Sequence, residues 1–128
     1  HKVDLVVIDT SFISLNLILP KALEFLKVGG RILALVKPQF EAGVAEIGKR
    51  GLVKNKEIHS KILKQLNELA AKLQLVILGQ MESVIKGKKS GNREFFIYLQ
   101  LQQNSVSPLQ RANVDDPGTL QCEETHSR

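Results

Sequence analysis

The chain has 128 residues, 43% of them hydrophobic and 24% charged, which is the size and make-up of one soluble globular domain. Its formal net charge is +5, but the stretch from Gln103 onward sets Arg111 and Arg128 against Asp115, Asp116, Glu123 and Glu124, so residues 1–102 hold +7. A basic body favours a polyanionic partner, nucleic acid first. The single cysteine, Cys122, excludes an internal disulfide and fits a reducing cytoplasm. No apolar run is long enough to span a bilayer, and no basic, apolar and small-residue leader pattern is present.

In chain order, Val3 to Ile8 is a short β-branched run that reads as a strand buried on both faces. Asp9-Thr10-Ser11 supplies turn residues, and a helix is expected from about Leu15 to Lys27, with Pro20 starting or kinking it and Gly29-Gly30 ending it. Arg31 to Val36 reads as a second buried strand, stopped at Lys37-Pro38. A polar loop, Gln39 to Asn55, carries Gly43, Gly48 and Gly51 with the basic residues Lys49, Arg50 and Lys54; loops this long in a compact domain tend to be functional.

The spacing of Ile58, Ile62, Leu66, Leu69 and Leu73 predicts an amphipathic helix over about Lys56 to Leu73, with His59 in its first turn as an exposed residue. A third strand is expected over Leu75 to Leu78, which Met81 to Ile85 either continues or leaves, and a last one over Glu94 to Leu101. The β-α-β-α-β-β order implies an α/β fold with a mostly parallel sheet and an antiparallel last strand. Residues 103–128 lose periodicity and read as a disordered or loosely attached tail. The start at His1, directly before a strand, reads as a piece of a longer protein.

Ligands of parallel α/β sheets bind beyond the carboxyl ends of the strands. Asp9 follows the first strand and Lys37 the second; if the last strand is antiparallel, its start, Glu94, points to the same edge. An acid, a lysine and an acid gathered at one rim are a poor choice for stability alone and point to chemistry. No Cys/His cluster has metal-ligand spacing, and GKKSG lacks the glycine-lysine spacing of a phosphate-binding loop.

DLVVIDTSFISLNLILP, LALVKPQFEAGVAEIGKRGLV and IKGKKSGNREFFIYL resemble the C-terminal half of the TlyA (hemolysin A) family, RNA 2′-O-methyltransferases with an FtsJ-like catalytic domain. The resemblance runs from Val3 to Leu101. It implies a Rossmann-like fold that binds S-adenosylmethionine and a Lys-Asp-Lys-Glu tetrad. In that tetrad Asp9 is the aspartate, which also meets the cofactor, Lys37 the second lysine and Glu94 the glutamate. The first lysine and the glycine-rich cofactor loop of the family fall before His1. The implied reaction is methyl transfer to cytidine ribose 2′-hydroxyls of ribosomal RNA, with Lys37 as base or hydroxyl-orienting group and Asp9 and Glu94 fixing it.

Lys49, Arg50 and Lys54, with Lys86, Lys88, Lys89 and Arg93, are candidate RNA-phosphate contacts beside that edge. Ser90 and Asn92 shape the loop before Glu94, and Phe40 either packs or stacks on a base. The competing reading is a catalytically incomplete RNA-binding module.

Overall fold

The computed structural model describes residues 1–86 and 91–103. The elements run β1 (Val3–Ile8), α1 (Leu15–Leu23), β2 (Leu26–Val36), α2 (Pro38–Glu41), two 3₁₀ turns (Val44–Glu46 and Lys49–Gly51), α3 (Lys56–Lys72), β3 (Leu75–Glu82) and β4 (Phe95–Leu101). The four strands form one sheet in the order β1-β2-β4-β3. β1 pairs parallel with β2, whereas β4 is antiparallel to both β2 and β3. Three strands therefore run one way, and the last is inserted between two of them in the opposite sense.

α1 begins where the Ser14 hydroxyl accepts from the Asn16 amide at 3.1 Å, and α3 where the Asn55 side chain accepts from the Glu57 amide at 2.8 Å. Glu57 in the first turn and Lys72 in the last suit the dipole of α3. Both helices pack on one face of the sheet. There Leu15, Leu19 and Ala22 of α1 and Ile62, Leu66 and Ala70 of α3 close over Ile8, Ile32, Ala34, Val36, Ile97 and Leu99.

The opposite face carries no helix among the described residues. Strand alternation places Leu5, Val7, Leu33, Leu35, Phe96, Tyr98 and Met81 on it, and Leu5, Val7 and Met81 are 52%, 65% and 61% exposed. The expectation that Val3 to Ile8 is buried on both faces is therefore corrected: only Ile8 is buried, because β1 is an edge strand and one of its faces is bare.

The glycine pair also lies elsewhere than expected. α1 stops at Leu23, and Gly29-Gly30 falls inside β2, which starts at Leu26 rather than Arg31. The parallel register jumps from Val3↔Leu26 to Leu5↔Arg31, so Lys27 to Gly30 form a bulge. Gly29 takes φ +78°, and a Cβ on Gly30 would meet Leu26 Cδ1 and the Lys27 carbonyl at 2.7 Å. A glycine pair after an apolar helix looks like a stop signal; here it relieves crowding within a strand.

Gly30→Ala should cost about 1–3 kcal/mol by overpacking the bulge. Gly79→Ala, whose new methyl meets nothing within 4 Å, should stay within about 0.5 kcal/mol of the parent. Urea unfolding of the two variants checks the contrast.

Candidate active site

Asp9 and Lys37 are delivered by the parallel pair β1/β2. Ile8, the last residue of β1, is level with Ala34, so Asp9 emerges at the carboxyl edge beside the end of β2, which Pro38 terminates one residue after Lys37. Lys37 Nζ lies 2.7 Å from Asp9 Oδ1 and donates to Ser11 Oγ at 3.2 Å. The two partners are unequally sheltered: the lysine side chain is 14% exposed and the aspartate 66%. An ion pair this open to solvent contributes at most about 1 kcal/mol to stability. Its consequence is geometric, holding an ammonium group at the rim.

The third predicted member is placed by β4. The antiparallel register pairs Val36 with Phe95, so Glu94 stands opposite Lys37 one step beyond the last pair, and alternation carries both toward the bare face. The Glu94 carbonyl accepts from the Ser83 amide at 2.7 Å, tying this start to the end of β3. Among the described residues Glu94 makes no ion pair with Lys37, and neighbouring Arg93 pairs instead with Glu82 at 3.3 Å.

Further groups at this edge are less visible in sequence. Glu41, at the end of α2, accepts from Ser14 Oγ at 2.6 Å and from the Leu15 amide at 2.8 Å. Burial pushes its carboxyl above the usual range, against the lowering pull of those two bonds. Phe12 is 90% exposed and adopts φ 64°, and its ring centroid lies 4.9 Å from that of half-buried Phe40. The acid of KPQFE and the serine of DTSFIS were the available signals for the Glu41 bonds, but only the fold shows that they meet.

His59 is buried, contrary to the expectation of an exposed helix residue. Its Nε2 donates to the Val53 carbonyl at 2.9 Å, and its ring stands edge-on to Phe95 at 5.5 Å. The interaction that buries it comes from the preceding loop, which helix periodicity does not report. Buried Asn92 joins the same region, accepting from the Val53 amide at 2.9 Å and donating to the Gly51 carbonyl at 2.8 Å. The basic loop is thereby fastened to the segment that leads into Glu94.

That loop presents exposed Lys49, Arg50 and Lys54 around a hollow of about 490 Å³, with Arg50 at φ 63°. Lys61 anchors it through Glu46 at 2.7 Å, and this bond, with a second from the Gly43 amide, holds the Glu46 carboxyl below its ordinary value. Lys86 is exposed; Lys88, Lys89, Ser90 and the tail from 104 lie outside the described residues. Among the described residues no group of His, Cys, Asp and Glu could hold a metal ion, and no helix is long and apolar enough to cross a membrane.

The sequence profile of the FtsJ-like methyltransferases matches residues 1–101, and the chain belongs to that family. Within it the chain is similar to the 16S/23S rRNA (cytidine-2′-O)-methyltransferase TlyA of Mycobacterium tuberculosis, 37% identical over 101 residues that make up 79% of this chain and 37% of the relative. It is 44% identical over 92 residues to YqxC, named as a candidate rRNA methyltransferase of Bacillus subtilis, covering 72% of this chain and 32% of that protein. Two solved structures described as candidate hemolysins share the fold. One, from Lactococcus lactis, has a TM-score of 0.75 at 36% identity, over 80% of this chain and 49% of that one. The other, from Streptococcus thermophilus, has a TM-score of 0.74 at 39% identity, over 85% and 39%. The chain thus spans about a third of the length of the curated relatives it matches.

The Glu46 carboxyl, held below its unfolded value, contributes stability that is present above that value and lost as pH falls through the lowered one. Glu46→Gln should therefore lower the melting temperature at about pH 7, and the gap from the parent should close as the pH falls through the lowered value. Thermal melts across that range check the sign.

Proposed function

We propose that this chain forms the carboxyl-side part of an S-adenosylmethionine-dependent methyltransferase acting on cytidine ribose 2′-hydroxyls of ribosomal RNA, in the cytoplasm. The observation that carries this reading is the sheltered Lys37 ammonium, fixed by Asp9 and Ser11 at the carboxyl edge of the sheet. A charged lysine has three N–H donors, and two are committed to Asp9 and Ser11. The third is available to a ribose oxygen.

S-adenosylmethionine, when bound, supplies an electrophilic methyl group on a sulfonium. A cationic cofactor suits the donor set here, because Asp9 is a largely exposed carboxylate at the rim. In-line transfer also needs the hydroxyl held in line and its proton released. Lys37 orients the oxygen, and as the oxygen–methyl bond forms and the sulfur–methyl bond breaks the hydroxyl proton passes to solvent water. Asp9 fixes Lys37, and Glu94, opposite it in register, completes the acidic surround. The exposed ring of Phe12 offers a face on which an unstacked base can lie, and Phe40 backs it. Lys49, Arg50, Lys54, Lys86 and Arg93 supply phosphate contacts; Lys88 and Lys89 would extend them.

A second reading, an RNA-binding module without catalysis, is favoured by the exposed cationic side chains of Lys49, Arg50 and Lys54 around the loop hollow. Transfer of a labelled methyl group to ribosomal subunits separates the two. The assay compares this chain alone with this chain grafted to the remainder of the Bacillus subtilis relative. Transfer by the grafted form, reduced about 100-fold or more by Lys37→Ala, is the expected result. RNA binding without transfer in either form favours the module, and full activity of Lys37→Ala removes the role given to Lys37.

A further inference from the structure

We infer that Glu41 is a positioning residue that latches the two catalytic loops together, so that Lys37 and Asp9 hold their geometry only while Glu41 bridges them. This rests on the methyltransferase reading for its effect on rate, and on the observed bonds alone for the latch itself.

The loop Asp9–Ser14 and the segment Lys37–Glu41 meet at three points. At the outer end Lys37 pairs with Asp9 and bonds Ser11; in the middle the Phe12 and Phe40 rings touch; at the inner end Glu41 takes Ser14 Oγ and the Leu15 amide. The first two contacts involve side chains open to water, with Asp9 66% and Phe12 90% exposed. Of the three, the Glu41 bonds are partly buried and reach backbone at the first turn of α1, whose Leu15 is 2% exposed. A charge-assisted bond to a helix amide is about twice as strong as a neutral one.

The loop also needs holding. Phe12 sits at φ 64°, a region that a bulky side chain occupies only when its surroundings impose it. The two residues after it, Ile13 and Ser14, lead straight to the Glu41 bonds. Burial raises the Glu41 carboxyl above its usual value, against the lowering pull of its two bonds. Glu41 touches neither Lys37 nor Asp9 and is not assigned to the chemistry.

The test uses amide hydrogen exchange on the protein and on Glu41→Ala, Ser14→Ala, the double variant and Glu41→Gln. The carboxamide introduced by Glu41→Gln can still accept from the Leu15 amide and donate to the Ser14 hydroxyl. Exchange over residues 10–16 should quicken about tenfold in both alanine variants, with β2 and β4 amides unchanged. The double variant should quicken exchange by less than the two single effects combined, since the Ser14–Glu41 bond is lost in each, and Glu41→Gln should stay near the parent. Unchanged exchange over 10–16, uniform loosening of the whole sheet, or additive effects of the two alanines would overturn the latch. Should Glu41→Ala fail to fold, Glu41→Met, which keeps the bulk and loses the carboxylate acceptors, takes its place in the comparison.

In the grafted, transfer-competent form, Glu41→Ala should lower kcat more than about tenfold with KM for RNA within about threefold, and Glu41→Gln should restore it. An active parent whose Glu41→Ala variant keeps its kcat would refute the positioning role. An inactive parent would refute the methyltransferase reading and leave the latch to be decided by exchange.

Discussion

The arrangement depends on one constraint, the insertion of β4 between β2 and β3 in the reverse direction. A parallel strand in that place would end, rather than start, at the carboxyl rim of β2, and Glu94 would be carried to the far edge. Backbone pairing sets the direction, and the pairing of Val36 with Phe95 sets the level. A slip of one residue would exchange the two faces, sending Ile97 and Leu99 away from α1 and α3. Both are fully buried, so the hydrophobic cost of that exchange guards the register. Packing beneath the sheet thus fixes the position of an acid above its edge.

The same economy governs the loops. Asn92 and His59 are polar and buried, and each is satisfied by backbone of the segment Gly51–Val53. Side chains from the start of α3 and from the approach to β4 therefore hold a basic loop that has little regular structure of its own. The exposed end of that loop, with Lys49, Arg50 and Lys54, stays polar while its root is fastened to the core.

Much of the fold is legible in the residues. The Lys37-Pro38 break ends β2 where expected because proline cannot continue a central strand, and α3 follows its apolar period to within a residue. Asp9 and Lys37 are visible as polar residues directly after apolar runs, and the structure pairs them. What escaped depends on partners far along the chain. Gly29-Gly30 has the local look of a helix stop, but α1 closes earlier and the glycines serve a bulge that only the β1 register reveals. His59 lies on a surface-like turn of α3 until the Val53 carbonyl is placed over it. Glu41 sits in a short polar stretch with no periodicity, and its partners Ser14 and Leu15 are about 26 residues away. The bare sheet face was hidden for a related reason: a β-branched run reads alike whether one face is covered or two.

The unequal shelter of the central pair gives the site a direction. Lys37 is enclosed and bonded on two sides, whereas Asp9 is mostly open, so the fixed partner is the cation and the approachable one the anion. Such a pair repels a bare polyanion from its aspartate side and accepts a positively charged group there. Exposed cationic groups are gathered instead on the basic loop, at Lys49, Arg50 and Lys54. Under the proposed function, charge directs a cationic cofactor toward Asp9 and an anionic substrate toward the basic loop.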